Sequence, residues 1–325
     1  MPQKLLLAAI VSAAFSTSAL AQTKWDMPTP YSDGEFHTQN VRLFVEEVKK
    51  ATGGQLDINV HSNGSLIKHP DILRAVSTGQ VAIGEILLGQ FGNEDPVFAI
   101  DNMPFFATGF DNAMKLYEAQ KPTLEKKLAA RGAKLLFSVA WPGQGIYTKN
   151  ALKSVDDLKG SKFRTYSPQT ARLAELLGAS PTVIQVPEVP QAFATGTINA
   201  MITSSATGIQ TKAWEFVKNY YITNAMHPKN VIIVNNRAFE RLTADQKKAV
   251  TYAASTAETR GWSMAKVREI EANETMQKNG MTLHKPDAAM NAAFKKVGDV
   301  MMKEWQDKAG ADGAAIVKAY RASAK

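Results

Sequence analysis

The residue types that most often carry chemistry are sparse in this chain. It has no cysteine, which excludes thiol nucleophiles, disulfides and thiolate metal sites. Its five histidines include no pair with the H-E-x-x-H spacing of a helical metal site. A nucleophile elbow, a P-loop and a dinucleotide-binding glycine motif are all missing, since Gly143-Gln144-Gly145 lacks the third glycine of the last. The pattern favours binding over catalysis and predicts neither a metal nor a cofactor.

The first twenty-one residues have the three parts of a secretory signal peptide. Lys4 precedes a short apolar run over residues 5–15, and an A-x-A site ends at Ala21. The run breaks at Ser16, short of the roughly 20 apolar residues that a membrane anchor needs. We expect cleavage after Ala21 and a mature protein in the periplasm.

Composition and charge limit the possible partners. A mature chain of about 300 residues favours two domains over one core. The formal net charge is +8, or +7 without Lys4, but the lysine pairs are spread over helix-like segments beside acidic residues. Such spacing is typical of solvated faces, so we expect no nucleic-acid partner. The positive surplus favours small anionic ligands in general.

Short β-branched runs alternate with longer amphipathic segments, which is the pattern of an α/β fold. Strands are predicted at 56–60, 81–88, 133–140, 163–166, 183–186, 199–202, 231–234 and 281–284. Helices are predicted over 41–48, from Pro70 to Gly79, around 113–117 and 123–131, from Ser167-Pro168 to Gly178, over 188–195, and in two closing segments. A capping box at Thr243 and Gln246 starts a further helix that continues to Gly280, about three times the average length. We expect this long helix to span two domains.

Several sequence motifs, in order, resemble one protein family. Asp157-Leu158-Lys159-Gly160-Ser161-Lys162-Phe163-Arg164 resembles the D-L-x-G-x-K-x-R stretch of the DctP-type solute receptors of tripartite ATP-independent periplasmic (TRAP) transporters. The other matching segments are Phe44 to Gly54, Gly64-Ser65-Leu66, Leu177 to Pro181, Glu188 to Gly196, Thr223-Asn224 and Leu242 to Gln246. Together they cover essentially the whole mature chain.

This resemblance implies a fold and a partner. The fold is α/β and type II periplasmic-binding-protein-like, with two α/β lobes around a ligand cleft and a long hinge-spanning helix. We expect lobe I to comprise residues 22–142 plus about 232–271, and lobe II residues 143–231 plus about 272–325. The resemblance also implies a monomeric receptor that delivers its solute to the membrane subunits of an ion-gradient-driven TRAP permease.

Arg164 is the first candidate for ligand binding. Taken alone, an arginine at a strand end is most often exposed to solvent. The matched motif reverses this expectation, because the corresponding arginine of the family pairs with the ligand carboxylate. A guanidinium suits that role, since its rigid fork binds two carboxylate oxygens and it stays charged at working pH.

Three positions depart from the family's motifs. Gly145 stands where many members have a second arginine, and the usual pocket asparagine is replaced by Thr203, followed by Ser204. A pocket with one guanidinium and hydroxyl groups suits a monocarboxylate with a neutral far end, such as a hydroxy, oxo or aromatic acid. The departures argue against dicarboxylates and sialic acids.

Five further residues are candidates, four because their counterparts in the family lie at the cleft and Tyr166 because of its spacing from Arg164. Trp141 is predicted either in the core or facing the ligand, and Tyr31 precedes the first helix. Gln90 and Phe91 follow a predicted strand, while Tyr166 projects to the same side as Arg164 in a regular strand.

Two alternatives remain open from the sequence. An enzyme of the same architecture would use an acidic residue such as Glu85 as a base. A receptor of the same kind could also serve a sensor instead of a permease, since a fold does not determine function.

Overall fold

The computed structural model describes residues 22–323. The predicted signal peptide and its cleavage site after Ala21 therefore lie outside the described residues. Within the described range, no helix combines the length and apolar character needed to cross a bilayer.

Strands and helices alternate along the chain, which confirms the predicted α/β class. The strands are β1 (Thr23–Pro28), β2 (Leu56–His61), β3 (Ile83–Leu87), β4 (Ala133–Ala140), β5 (Gln144–Thr148), β6 (Lys162–Thr165), β7 (Ser180–Val183), β8 (Ala200–Ser204), β9 (Asn219–Tyr221), β10 (Lys229–Asn235) and β11 (Thr282–His284). The α-helices are α1 (Phe36–Ala51), α2 (His69–Thr78), α3 (Phe110–Ala130), α4 (Pro168–Leu176), α5 (Val189–Ala194), α6 (Ser205–Gln210), α7 (Asn236–Glu240), α8 (Ala244–Lys278) and α9 (Ala288–Ser323).

The sheets divide the strands into two groups. In the first group β1 pairs in parallel with β2, and β10 pairs antiparallel with both β3 and β4. The second group is one sheet with the strand order β11-β9-β5-β8-β6-β7. Because β10 follows β9 in the chain but joins the first group, the chain crosses from one group to the other more than once. The strands therefore form two units, and the chain passes between them several times.

Helix α8 contacts both groups. It packs against α1 and β4 of the first group and against α6 and β11 of the second. A Cβ atom at Gly261 would lie 2.7 Å from Asn40 Nδ2 of α1, so glycine permits the close approach of the two helices. The predicted long helix that spans two units is confirmed, with 35 residues.

Helix α9 bends at Gly310, so the two closing helical segments predicted from the sequence are present. It packs against α3 in the first group and against α4 in the second. The residue boundaries proposed for the two lobes stay a prediction.

Some elements differ from the sequence-based expectation. The strand expected at 183–186 forms as β7 instead, because pairing of Ser180 with Lys162 of β6 determines its register. Proline at position 181 is tolerated there since β7 is the edge of its sheet. The two helical segments expected near 113–131 form the single helix α3, which includes Pro122. Strands β1, β5 and β9 were not predicted.

The start of α8 provides a stability test. Thr243 Oγ1 accepts a hydrogen bond from the Gln246 backbone N–H at 3.2 Å, and Gln246 Oε1 accepts one from the Thr243 N–H at 3.0 Å. Thr243→Ala removes half of this capping box, so we expect urea unfolding to show a loss of about 1 kcal/mol. Thr259→Ala, at an exposed position within the same helix, is the matched control. Alanine is favoured in a helix interior, so the control should lose nothing. Equal losses for the two variants would contradict the role of the box.

Candidate functional site

A cavity of about 410 Å³ lies between the two groups of strands. Its volume falls within the usual range of small-molecule sites, and its walls come from both groups. The lining residues are Pro30, Tyr31, Asn63, Gly64, Lys68, His69, Pro70, Leu87, Trp141, Gln144, Arg164, Tyr166, Gln185, Val186, Pro187, Glu188, Thr203, Ser204, Thr207 and Pro228. Six of the residues predicted for the site therefore line one cavity: Tyr31, Trp141, Arg164, Tyr166, Thr203 and Ser204.

Arg164 places a buried positive charge on the cavity wall. Strand β6 holds its backbone between β7 and β8, and the residue is only 1% exposed. Burial lowers the pKa of Arg164 to about 10, which leaves the guanidinium charged at neutral pH. In the described part of the chain it forms no ion pair with a carboxylate.

Backbone carbonyl groups orient the guanidinium of Arg164. Its Nε–H donates to the Ile184 carbonyl at 3.0 Å, and its Nη1 donates to the Ile202 carbonyl at 3.4 Å. A guanidinium has five N–H groups, so these two bonds leave three for other acceptors. Because Arg164 lines the cavity, these donors can meet a carboxylate there.

Hydroxyl groups surround this charge. Tyr166 follows Arg164 by two residues on the same side of the chain, and its ring centroid lies 5.3 Å from Arg164 Cζ. The Tyr166 hydroxyl is buried and has no hydrogen-bond partner among residues 22–323, which makes it available to a ligand. Thr203 also faces the cavity from the end of β8. The Ser204 hydroxyl instead caps α6 by accepting from the Thr207 N–H at 3.1 Å.

Tyr31 and Trp141 form the aromatic wall of the cavity. Their ring centroids lie 5.1 Å apart in an edge-to-face arrangement. The Tyr31 hydroxyl and the Trp141 indole N–H both donate to Asn230 Oδ1, at 3.2 and 2.9 Å. Since the polar atoms of both side chains are paired with Asn230, the wall presents mainly apolar ring surface to a ligand.

Two hydrogen bonds join the two groups beside the cavity. His69 Nε2 accepts from the Leu87 backbone N–H at 2.9 Å, so Nδ1 carries the proton and donates to Gln185 Oε1 at 3.2 Å. Burial lowers the pKa of His69 to about 4, which keeps the ring neutral. Gln210 Nε2 donates to Ser32 Oγ at 3.0 Å. The structure is therefore a closed form of the cleft.

Four of the predicted site residues do not line the cavity. Gln90 and Phe91 belong to a 3-10 turn over Leu88–Phe91, and the Phe91 ring packs in the core of the first group. Glu85 lies on β3, where its carboxylate accepts hydrogen bonds from the Thr29 hydroxyl and from Asn230 Nδ2. Burial raises the pKa of Glu85 to about 7, but without access to the cavity the group cannot act as a base on a ligand there.

Gly145 is the fourth, and the structure places it away from the cavity wall. A Cβ atom at Gly145 would meet the Tyr220 ring and lie 2.5 Å from the Tyr221 carbonyl oxygen. The position therefore faces the interior of the second group, away from the cavity. The residue of β5 that lines the cavity is its neighbour Gln144.

Sequence reasoning missed several lining residues. The sequence pattern over residues 141–145 indicates a break after a strand, so it does not predict β5 or its residue Gln144. Gln185 lies within the strand predicted at 183–186, but the structure forms that strand at Ser180–Val183. His69 was weighed only for metal spacing, although its place directly before Pro70 at the start of a helix was a usable signal.

Two α/β units that enclose one cavity with a buried guanidinium on its wall define a type II periplasmic binding protein. The comparisons with known proteins agree with this class. The chain belongs to the DctP family, described as bacterial extracellular solute-binding protein family 7, whose model matches residues 29–308.

Several solved structures resemble this chain closely. DctP6 of Bordetella pertussis, an extracytoplasmic solute receptor that binds pyroglutamic acid, shares 47% identity with a TM-score of 0.91, covering 92% of this chain and 100% of that one. A TRAP solute-binding protein specific for pyroglutamate, from an unidentified marine microbe, shares 37% identity with a TM-score of 0.91, covering 93% and 99%.

One relative found by sequence comparison has a name that refers to C4-dicarboxylates. The C4-dicarboxylate-binding periplasmic protein DctP of Rhodobacter capsulatus is 27% identical over 289 residues, which are 86% of this chain and 85% of that protein. The family and these neighbours are solute-binding receptors.

The position of Gly145 can be tested by adding one methyl group. Gly145→Ala should lower the free energy of unfolding by about 1–3 kcal/mol, because the new Cβ collides with backbone as well as with a buried ring. Gly34→Ala is the control, since the nearest atom to its Cβ is 4.0 Å away. Urea unfolding measures both. A Gly145→Ala protein as stable as wild type would show that the position is open.

Proposed function

We propose that this protein is a periplasmic receptor for a small organic monocarboxylate, with pyroglutamate as the first candidate ligand. The observation that carries the proposal is the Arg164 guanidinium, which is buried on the cavity wall and lacks a carboxylate partner in the described residues. A buried charge is costly unless it is paired. A ligand carboxylate would supply the missing pair.

The charges of the cavity favour a neutral far end of the ligand. Besides Arg164, the charged lining residues are Lys68 and Glu188, and both are exposed. No second buried cation lines the cavity in the described part of the chain. A second carboxylate on the ligand would therefore lose water on closure without gaining a buried charged partner.

Pyroglutamate matches these features. It has one carboxylate and a flat, neutral lactam ring. The ring could lie against the aromatic wall while the carboxylate meets Arg164. Two similar receptors, at 47% and 37% identity, bind this acid, which supports it as the first candidate over other hydroxy, oxo or aromatic acids.

Export and delivery complete the proposal. The leader over residues 1–21 would be removed after Ala21, and the mature monomer would carry its ligand to the membrane subunits of a TRAP permease. Lobes I and II would close on the ligand because it binds the closed state more tightly than the open one. The hydrogen bonds of His69 to Gln185 and of Gln210 to Ser32 would then form on closure.

Removal of the guanidinium tests the carboxylate site. Arg164→Ala should weaken pyroglutamate binding by about 2–5 kcal/mol, since the ligand carboxylate would be buried without its partner. Arg164→Lys should lose less, because it keeps the charge but not the two-donor fork. Calorimetry on refolded, ligand-free protein gives the affinities, and circular dichroism checks the fold.

Arg172→Ala is the matched control, because Arg172 lies on the surface and pairs with Glu304 of α9. It should bind like wild type. An Arg164→Ala affinity within about threefold of wild type, a difference under 1 kcal/mol, would remove Arg164 from the site.

A pair of acids tests the preference for one charge. Glutaramate and glutarate differ only in an amide that replaces the second carboxylate. Glutaramate should bind at least about tenfold more tightly, equivalent to roughly 1.4 kcal/mol. Thermal-shift titration is a suitable measurement, since ligand at 100 times its Kd adds about 2.7 kcal/mol of stability. Tighter binding of glutarate would contradict the one-cation cavity and indicate that Lys68 reaches the ligand.

A further inference from the structure

A chain of buried polar side chains lies behind the aromatic wall. Tyr31 and Trp141 donate to Asn230 Oδ1, and Asn230 Nδ2 donates to Glu85 Oε1 at 2.8 Å. The other carboxylate oxygen of Glu85 accepts from the Thr29 hydroxyl. Asn230 lies on β10 and Glu85 on the neighbouring strand β3, so the chain connects the cavity wall to the central sheet of the first group.

The chemistry of the end groups determines the orientation of the Asn230 amide. An indole N–H can only donate, so the amide oxygen must face Trp141. An ionised carboxylate can only accept, so the amide nitrogen must face Glu85. His37, whose Nδ1 lies 3.8 Å from Glu85 Oε1, does not compete as a cation, because burial lowers its pKa well below the usual value. Glu85 thus holds Asn230 in the one orientation that anchors both aromatic side chains.

We infer that Glu85 and Asn230 are positioning residues, which hold the rings of Tyr31 and Trp141 against a flat ligand and thereby set the preference for cyclic over open-chain acids. Neither residue lines the cavity, so both act through the wall. The inference rests on the proposed function, since it names the basis of selectivity at the same site.

Exchange of the two functional groups tests the contact directly. Asn230→Leu removes both the acceptor of the two rings and the donor to Glu85, whereas Asn230→Asp alone can share one proton with Glu85 and keep these contacts. The double variant Glu85→Gln with Asn230→Asp restores every donor and acceptor with the polarity reversed. The new amide at position 85 would donate to the new carboxylate at position 230 and accept from Thr29. That carboxylate would still accept from Tyr31 and Trp141, and the number of buried carboxylates is the same as in wild type.

The measured quantity is the affinity for pyroglutamate divided by that for glutaramate, an open-chain acid with the same number of non-hydrogen atoms. Measurement about one pH unit above the Glu85 pKa of about 7 keeps that carboxylate mostly ionised. Asn230→Leu should lower the ratio at least about fivefold, within the range for directly coupled residues. The double variant should return to within about twofold of wild type, a residual difference typical of independent sites.

Two controls separate positioning from general stability. Thr243→Ala weakens the fold at a residue that does not line the cavity and should leave the ratio unchanged. Tyr31→Phe keeps the ring and removes only the hydroxyl that donates to Asn230, so it should lower the ratio at least about threefold, which exceeds the roughly twofold scatter of independent sites. This variant still tests the inference if Asn230→Leu does not fold.

The outcomes are distinguishable. An unchanged ratio in Asn230→Leu, or a double variant whose ratio differs from wild type by more than about twofold, overturns the positioning role and leaves the proposed function intact. An unchanged ratio in Tyr31→Phe also counts against it. Wild-type protein that binds neither acid overturns the proposed function, and the inference with it.

Discussion

The burial of one guanidinium is the constraint on which the site depends. Arg164 is removed from water by the sheet around it and held by two backbone carbonyl groups, which orient its charge without neutralising it. A carbonyl dipole offsets part of the cost of desolvation, but only an anion completes the pair. Hydroxyl groups near the guanidinium and aromatic rings on the opposite group's wall shape the space around that charge.

The two-unit architecture makes such a site possible. Arg164 comes from the second group of strands and the aromatic wall from the first, so the complete site exists only when the two groups are together. Helix α8 packs against both groups, and side-chain hydrogen bonds between Gln185 and His69 and between Gln210 and Ser32 join them beside the cavity. The same architecture is shared by members of the DctP family.

Much of the site was predictable because its chemistry is local. Arg164 and Tyr166 lie two apart at the end of a strand, which places them on one side, and Thr203 ends the neighbouring strand β8. Glu85 and Gly145 show where this reasoning fails. Gly145 is adjacent to the cavity residue Gln144 and faces the other side of β5, because successive residues of a strand alternate. Glu85 is two residues from the cavity residue Leu87, but its carboxylate is held behind the aromatic wall by Asn230 and Thr29, contacts that no local pattern reports.

The sequence by itself determined the α/β class, the long helix from its capping box at Thr243, and the family, because these depend on periodicity, local caps and ordered motifs. Only the tertiary structure decided the register of β7, the presence of β5 and the contact of Asn230 with Glu85. Residues 85 and 230 are far apart in the chain, and no local pattern reports such a contact. The pairing of β3 with β10 brings them together, and that pairing depends on the folding of the whole unit.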